Sequence, residues 1–227
     1  MTLLQAVNGV LRRLRENTVA TVNETDYSTM IVDLVNDAYE YIGETHDWLG
    51  LEANLTVTTS SGTATYELDG AGETSDVKKA VNTTSNDVLT EWTYERILEE
   101  SEINPPSNSK PTHWAVSSRA SDGDPNIIFR PTPDGVYSIN IRVDKPITRL
   151  SVDTDVFVIP SSPIVQMAYG LALAERGDTG GTSGSVQLQI ADQFIQNAIL
   201  GDISRRPEKQ QWYVEGEQLS NTNFHTA

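Results

Sequence analysis

The stretch Leu55-Thr-Val-Thr-Thr-Ser-Ser-Gly-Thr-Ala-Thr-Tyr-Glu-Leu68 decides the fold class. Leu55, Val57 and Thr59 alternate with polar residues, Ser60 to Gly62 carry turn chemistry, and Thr63 to Leu68 read as a return strand. The stretch therefore predicts a β-hairpin. A period of two sends successive side chains to opposite faces of a sheet, whereas the sequence before it repeats at three to four residues, the period of a helix.

Upstream, Thr2 and Gln5 stand at capping-box spacing ahead of Leu3, Leu4, Val7, Val10, Leu11 and Leu14, which predicts an amphipathic helix over residues 2–16. After a Thr/Asn-rich turn, Asp26 is placed to cap a second helix. Its stripe is Tyr27, Met30, Ile31, Leu34, Val35, Ala38, Tyr41 and Ile42, and its end falls near Trp48.

Downstream of the hairpin, Asp69 to Ser75 reads as a loop, Val77 to Val81 and Val88 to Trp92 as strands, and Tyr94 to Ile103 as a short helix. The three prolines of Asn104-Pro-Pro-Ser-Asn-Ser-Lys-Pro111 remove donors and enforce a loop. Strands follow at Trp114 to Ser118, Ile127 to Arg130 and Val136 to Val143. Pro131-Thr-Pro-Asp-Gly135 between the last two predicts a second hairpin. Helical period then returns. Ser162 and Pro163 suit N-cap and N1 positions ahead of Ile164, Val165, Ala168, Leu171 and Ala172, and Gly177 is a natural stop. Residues 177–184 read as a connector. A fourth helix follows, with apolar positions Val186, Ile190, Ala191, Phe194, Ile195, Ala198 and Ile199, running to about Ser204. Arg205 and Arg206 suit its end and Pro207 stops it.

None of the four helical stripes is suited to water, so the simplest burial is one against another. The expected fold is α+β: a four-helix bundle formed by N- and C-terminal helix pairs with an inserted antiparallel β-rich module. Residues 1–52 and 159–206 supply the bundle, 53–158 the projecting module, and 207–227 an extended, polar C-terminal tail. Within that tail Trp212, Tyr213, Phe224 and His225 are the candidate partner-binding residues, because aromatic side chains in a polar segment serve as anchors in a partner or neighbouring subunit.

The composition excludes several function classes. Of 227 residues, 32 are Asp or Glu and 16 are Lys or Arg, a formal charge of −16. This balance opposes general nucleic-acid affinity, which comes from cations displacing phosphate counterions; an acidic wall around passing DNA would instead keep it from adhering. The absence of cysteine removes disulfides, thiolate metal sites and Cys nucleophiles, and suits assembly in a reducing cytoplasm. No apolar run approaches the ~20 residues that span a bilayer. The opening stripe is broken by Gln5, Asn8, Arg12 and Arg13, so no signal peptide and no membrane association are expected.

No chemistry-bearing constellation emerges. His46, His113 and His225 lie in separate regions without zinc-site spacing, and His46 beside Asp47 reads as a structural complement to a helix end. Gly177-Asp-Thr-Gly-Gly181 has Thr179 where a protease of similar pattern needs serine, and no Lys follows to make a phosphate loop. Asp122-Gly-Asp124 lacks the remaining calcium ligands and reads as a turn. Glu95, Glu99, Glu100 and Glu102, interleaved with Arg96 and Ile97, read as the solvated face of a helix. Catalytic, metal and cofactor residues are therefore all expected to be absent, and the protein is not expected to be an enzyme.

The order of several segments resembles phage head-to-tail adaptor (connector) proteins of the tail tubular protein A kind. Leu11-Arg-Arg-Leu-Arg15 precedes Ile31-Val-Asp-Leu-Val-Asn-Asp-Ala-Tyr39 and His46-Asp-Trp48, similar to the "LVNDA … W" opening of that family. Pro111-Thr-His-Trp-Ala-Val116, Ile128-Phe-Arg-Pro-Thr-Pro133 and the strand up to Arg142 come next. Ile159-Pro160 then leads into Ala168-Tyr-Gly-Leu-Ala-Leu-Ala174. The resemblance spans roughly residues 3–205 and leaves the tail out. It implies a structural virion protein of the neck or tail, made in the bacterial host cytoplasm and forming a homo-oligomeric, usually dodecameric, ring. That ring would bind the portal protein and a tail nozzle or tail tube protein, with DNA passing through its channel. The alternatives are another neck or tail completion protein and a tail-associated hydrolase.

Overall fold

The structure is a computed structural model describing residues 1–105, 107–177 and 184–206. It is α+β, with five helices and a seven-stranded sheet.

Helix α1 (Leu3–Arg13) opens with the expected capping box: Thr2 Oγ1 accepts from Gln5 N at 3.3 Å and Gln5 Oε1 accepts from Thr2 N at 3.1 Å. Helix α2 (Asp26–Glu44) is capped by Thr25 and not by Asp26. Thr25 adopts an extended conformation and exchanges side-chain hydrogen bonds with Ser28, both at 3.0 Å. Asp26 lies inside the first turn, where a carboxylate complements the helix dipole. The helix stops at Glu44, short of Trp48, whose indole Nε1 turns back to donate to Ile42 O at 2.9 Å. A 3₁₀ turn, Leu49–Leu51, leads into the sheet.

After the sheet, α4 (Ser161–Glu175) begins at N-cap Pro160, so Ser162 and Pro163 fall within its first turn. Proline is tolerated there because those amides have no intrahelical acceptor. Gly177, at φ +60°, follows the helix end as expected. Helix α5 (Gly184–Arg205) returns along α4. A Cβ on Gly170 of α4 would lie 2.9 Å from Leu188 Cδ2, so the missing side chain is what lets α5 approach this closely.

Helix α4 is central and packs against α1, α2 and α5. Leu3, Val7, Leu11, Ile31, Val35, Ile42, Ile164, Ala168, Ala172 and Ile195 are among the residues that close this core. The expectation that all four stripes bury each other holds only in part. Tyr41 of α2 and Val186 and Phe194 of α5 remain exposed.

The strands are β1 (Glu52–Thr58), β2 (Thr65–Glu67), β3 (Asp76–Asn82), β4 (Asp87–Glu91), β5 (His113–Arg119), β6 (Pro125–Arg130) and β7 (Ser138–Asp144), with α3 (Tyr94–Ile103) between β4 and β5. They form one sheet in the order β1-β7-β3-β4-β5-β6-β2, curled until its edges nearly meet. Its core contains Val57, Leu68, Trp114, Phe129, Ile139 and Ile141.

Both predicted hairpins are corrected. β1 and β2 do not pair: β1 lies on β7, with Val57 opposite Ile139, and β2 lies on β6, with Tyr66 opposite Ile127. The intervening loop satisfies its own polar groups. Tyr66 Oη accepts from Ser60 N at 2.8 Å and donates to Thr63 O at 2.9 Å, while Gly62 N reaches Pro133 O at 2.9 Å. β6 and β7 are not paired either, because β5 and β2 flank β6 while β1 and β3 flank β7. Pro131 and Pro133 have no amide donors to close a tight ladder between them. The hairpins that do form are β3–β4, turned through Asn86 at φ +58°, and β5–β6. The module is also mixed rather than antiparallel, since the crossover through α3 leaves β4 and β5 parallel.

Candidate functional site

The candidate site consists of the surfaces by which the two parts of the chain meet each other or a partner. At their junction, the Lys78 ammonium of β3 contacts Asp76 at 2.7 Å, Asp47 at 3.2 Å and Asp144 at 3.2 Å. The Asp76 hydrogen bond, with those to Asp47 and Asp144, raises the Lys78 pKa above its ordinary value against the opposing effect of burial. One lysine thereby ties the loop after α2 to β3 and β7. Its three partners Asp47, Asp76 and Asp144 line a hollow of about 280 Å³ together with Glu40, Trp48 and Ile147, among others.

His46 does not act on the terminal carbonyls of its own helix, as the sequence had suggested. Its Nε2 pairs with Asp202 Oδ2 of α5 at 3.1 Å, and its ring stands edge-on to Trp48 with centroids 5.0 Å apart. His113 stacks on Trp92 at 3.8 Å, and Arg96 covers Trp92 at 4.2 Å. Burial, reinforced by Arg96 and Arg130, lowers the His113 pKa. The acidic run on α3 is a solvated face as expected: Ile97 is buried and Glu95, Glu99 and Glu102 point outward.

Asp122-Gly-Asp124 is a turn, but Asp124 is buried within it. Its carboxylate accepts from Gly70 N at 2.6 Å and Gly72 N at 2.5 Å, latching the loop after β2. Glu67 and Asp122 approach it, with carboxylate oxygens of all three within 4.8 Å of one another. Asp122 is the main cause of a raised Glu67 pKa. Because Asp124 is already engaged by two amides, the group reads as a loop latch.

The segments singled out at the sequence level prove to be packing elements. Asn36 is buried, accepts from Leu150 N and donates to Leu150 O, both at 2.9 Å, and so clamps the strand-to-helix linker onto α2. Its neighbour Asp37 receives Arg149 at 2.8 Å, and Arg149 also reaches Glu40 at 3.0 Å. Trp48 and Trp114 are fully buried. The SU10 adaptor protein family model matches residues 1–218. The chain belongs to the SU10 adaptor protein family. It is a phage head-to-tail adaptor, a structural component of the virion. No curated protein matches the chain. The family match runs past residue 205, where the resemblance drawn from the sequence stops, and takes in Trp212 and Tyr213.

In this adaptor Trp212, Tyr213, Phe224 and His225 lie outside the described residues, as does most of the connector at 177–184. Among the described residues no helix is long and apolar enough to cross a membrane. A surface not foreseen from the sequence is the outer side of α5. Ala191 and Ile195 are buried, whereas Phe194, Leu200 and Ile203 are exposed, Leu200 at 63% and Ile203 at 49%. Leu200 and Ile203 had no place in the predicted stripe. The signal for them was an apolar content too wide for one buried face.

Proposed function

We propose that this adaptor assembles as a dodecameric ring that joins the portal to the tail nozzle or tube and surrounds the DNA exit channel. The observation that carries the reading is α5, a helix with apolar residues on two sides of which one packs on α4 and the other, with Leu200 and Ile203, is exposed among the described residues. Such a second face fits lateral packing between identical subunits, and a head-to-tail contact repeated around an axis closes into a ring. The charge of −16 suits a channel wall that lets DNA pass without sequence-specific binding or adhesion. The projecting module offers the tail-facing contacts, and Phe224 and His225 at the end of the C-terminal tail anchor on the portal.

The test is molar mass by light scattering after size exclusion, with the adaptor mixed with the portal from the same genome. The expected complex exceeds the portal by one adaptor mass per portal chain. Unchanged portal beside free adaptor would overturn the reading in favour of another neck or tail completion role.

A further inference from the structure

The sheet curls without closing, and its two edge strands, β1 and β2, share a slot of about 360 Å³ lined by Thr56, Val57, Thr58, Tyr66, Glu67 and Leu68, among others. The ladder registers fix which backbone groups face it. Lys145 N donates to Leu51 O and Thr59 N to Tyr137 O, each at 2.9 Å, so residues 53, 55 and 57 between them turn their amides and carbonyls toward β7. Those of Asn54, Thr56 and Thr58 point the other way, to the slot. Across it, Phe129 N donates to Ala64 O and Leu68 N to Pro125 O, each at 2.9 Å, so Tyr66 bonds to β6 while Thr65 and Glu67 present their backbone groups to the slot.

Sheet edges are ordinarily guarded by lysine, proline or a bulge, because unpaired backbone groups are a template for one more strand. β1 lacks all three guards: Glu52–Thr58 contains no lysine or proline, its pairing with β7 is unbroken, and its one charge, Glu52, is taken up by Arg142. Burial at the edges is also incomplete. Leu55 is half-buried where Ile141 opposite it on β7 is fully buried, and Tyr66 is half-buried where Ile127 opposite it on β6 is fully buried.

Charge selects the occupant. Glu67 and Asp69 line the slot, and Glu67 has a carboxylate oxygen within 4.8 Å of those of Asp122 and Asp124. Among the described residues no cation pairs with any of these four acids, so the slot attracts a basic segment and repels an acidic one. A second copy is poorly suited. Every other strand already has a neighbour on both sides, and slot-to-slot pairing would set Glu67 and Asp69 of one copy against those of the next.

We infer that β1 and β2 take up one extended segment of a partner protein, with apolar side chains at alternate positions over Leu55 and Tyr66 and a lysine or arginine beside Glu67 and Asp69. Main-chain hydrogen bonds to the two edges supply affinity, and the carboxylates select charge. The inference does not rest on the ring reading. Its test uses the free adaptor and a peptide, so either can fail without the other.

The probe is a short synthetic peptide of alternating valine and threonine with two lysines at one end, compared with the same peptide carrying glutamates there and with a lysine peptide whose backbone amides are methylated. Fluorescence anisotropy is expected to show the lysine peptide binding at least about tenfold tighter than either control. Hydrogen–deuterium exchange of adaptor peptides spanning 52–58 should slow at least about tenfold at saturation, with α1 and α2 unchanged. Glu67 and Asp69 are exposed, so Glu67→Gln with Asp69→Asn leaves the fold intact and should bring the lysine peptide down to the affinity of the glutamate peptide. Unchanged exchange at 52–58, equal binding of the lysine and glutamate peptides, or undiminished binding of the methylated peptide each overturns the proposal. Protection of 52–58 that rises with adaptor concentration in the absence of peptide also overturns it, by giving the slot to a second copy.

Discussion

His46 Nε2 lies 3.1 Å from Asp202 Oδ2, joining the turn after α2 to the last turn of α5. Asp202 is buried and also accepts from Leu49 N at 3.4 Å and Arg206 Nε at 3.3 Å, so one carboxylate fixes the place where the bundle hands the chain to the sheet. Asp202→Ala removes all three contacts and is expected to lower unfolding free energy by about 2 kcal/mol. Asp202→Asn retains one acceptor oxygen and should lose about half of that. Urea denaturation of the three proteins checks both, and equal midpoints would refute the anchoring role.

Arg130 of β6 holds the end of α3. Its guanidinium donates to Glu100 O and Asn104 O at 2.9 Å and to Ser101 Oγ at 2.8 Å, adding to the bond that Asn104 N gives Glu100 O and holding the helix end against β6. Arg130→Met removes these three bonds from a buried guanidinium and should destabilise by about 2 kcal/mol. Arg149, whose pairs with Asp37 and Glu40 are exposed, is the control: Arg149→Ala is expected to lose under about 1 kcal/mol. The order of the two midpoints in thermal unfolding decides the point.

His113 gives the fold a pH dependence of known sign. Its pKa is lowered by burial and by the nearby cations Arg96 and Arg130, so the unfolded chain takes up its proton first as pH falls. The associated stability is complete above the unfolded value of about 6.5 and is lost progressively as pH drops through the lower folded value. His113→Gln should therefore show a shallower fall in urea midpoint between pH 7.5 and 5.5 than the natural protein. Parallel curves would show that His113 contributes nothing to the acid limb.

These relationships mark where the sequence is legible. Stripes such as Leu3, Val7, Leu11 and Ile31, Val35, Ile42 identify their helices, because the faces they define are the faces buried. Strand positions were equally clear, but partners were not. Alternation specifies which face of Val57 and Tyr66 is apolar, not which strand lies beside them: β7 and β6, their partners, lie about 60 to 80 residues further along the chain. Asn36, inside a segment recognised only as a pattern, owes its place to Leu150, which lies in the linker after the last strand. Asp124 read as one of two acids in a turn, because nothing local indicates that Gly70 and Gly72 turn their amides toward it.

The second face of α5 makes the clearest test of assembly. Leu200 and Ile203 are exposed, so charged side chains there stay hydrated in the free subunit. Leu200→Glu with Ile203→Glu is expected to leave subunit stability within about 0.5 kcal/mol per site. In a packed lateral interface the same carboxylates lose their water without a partner, and neighbouring subunits separate. The mass of the adaptor–portal mixture should fall to that of the portal alone. Ile195→Glu, on the face turned to α4, separates this effect from misfolding: Ile195 is buried among bundle residues, so that variant should lose its fold before any question of assembly arises. A double variant that still adds its full mass to the portal would move the lateral contact away from α5.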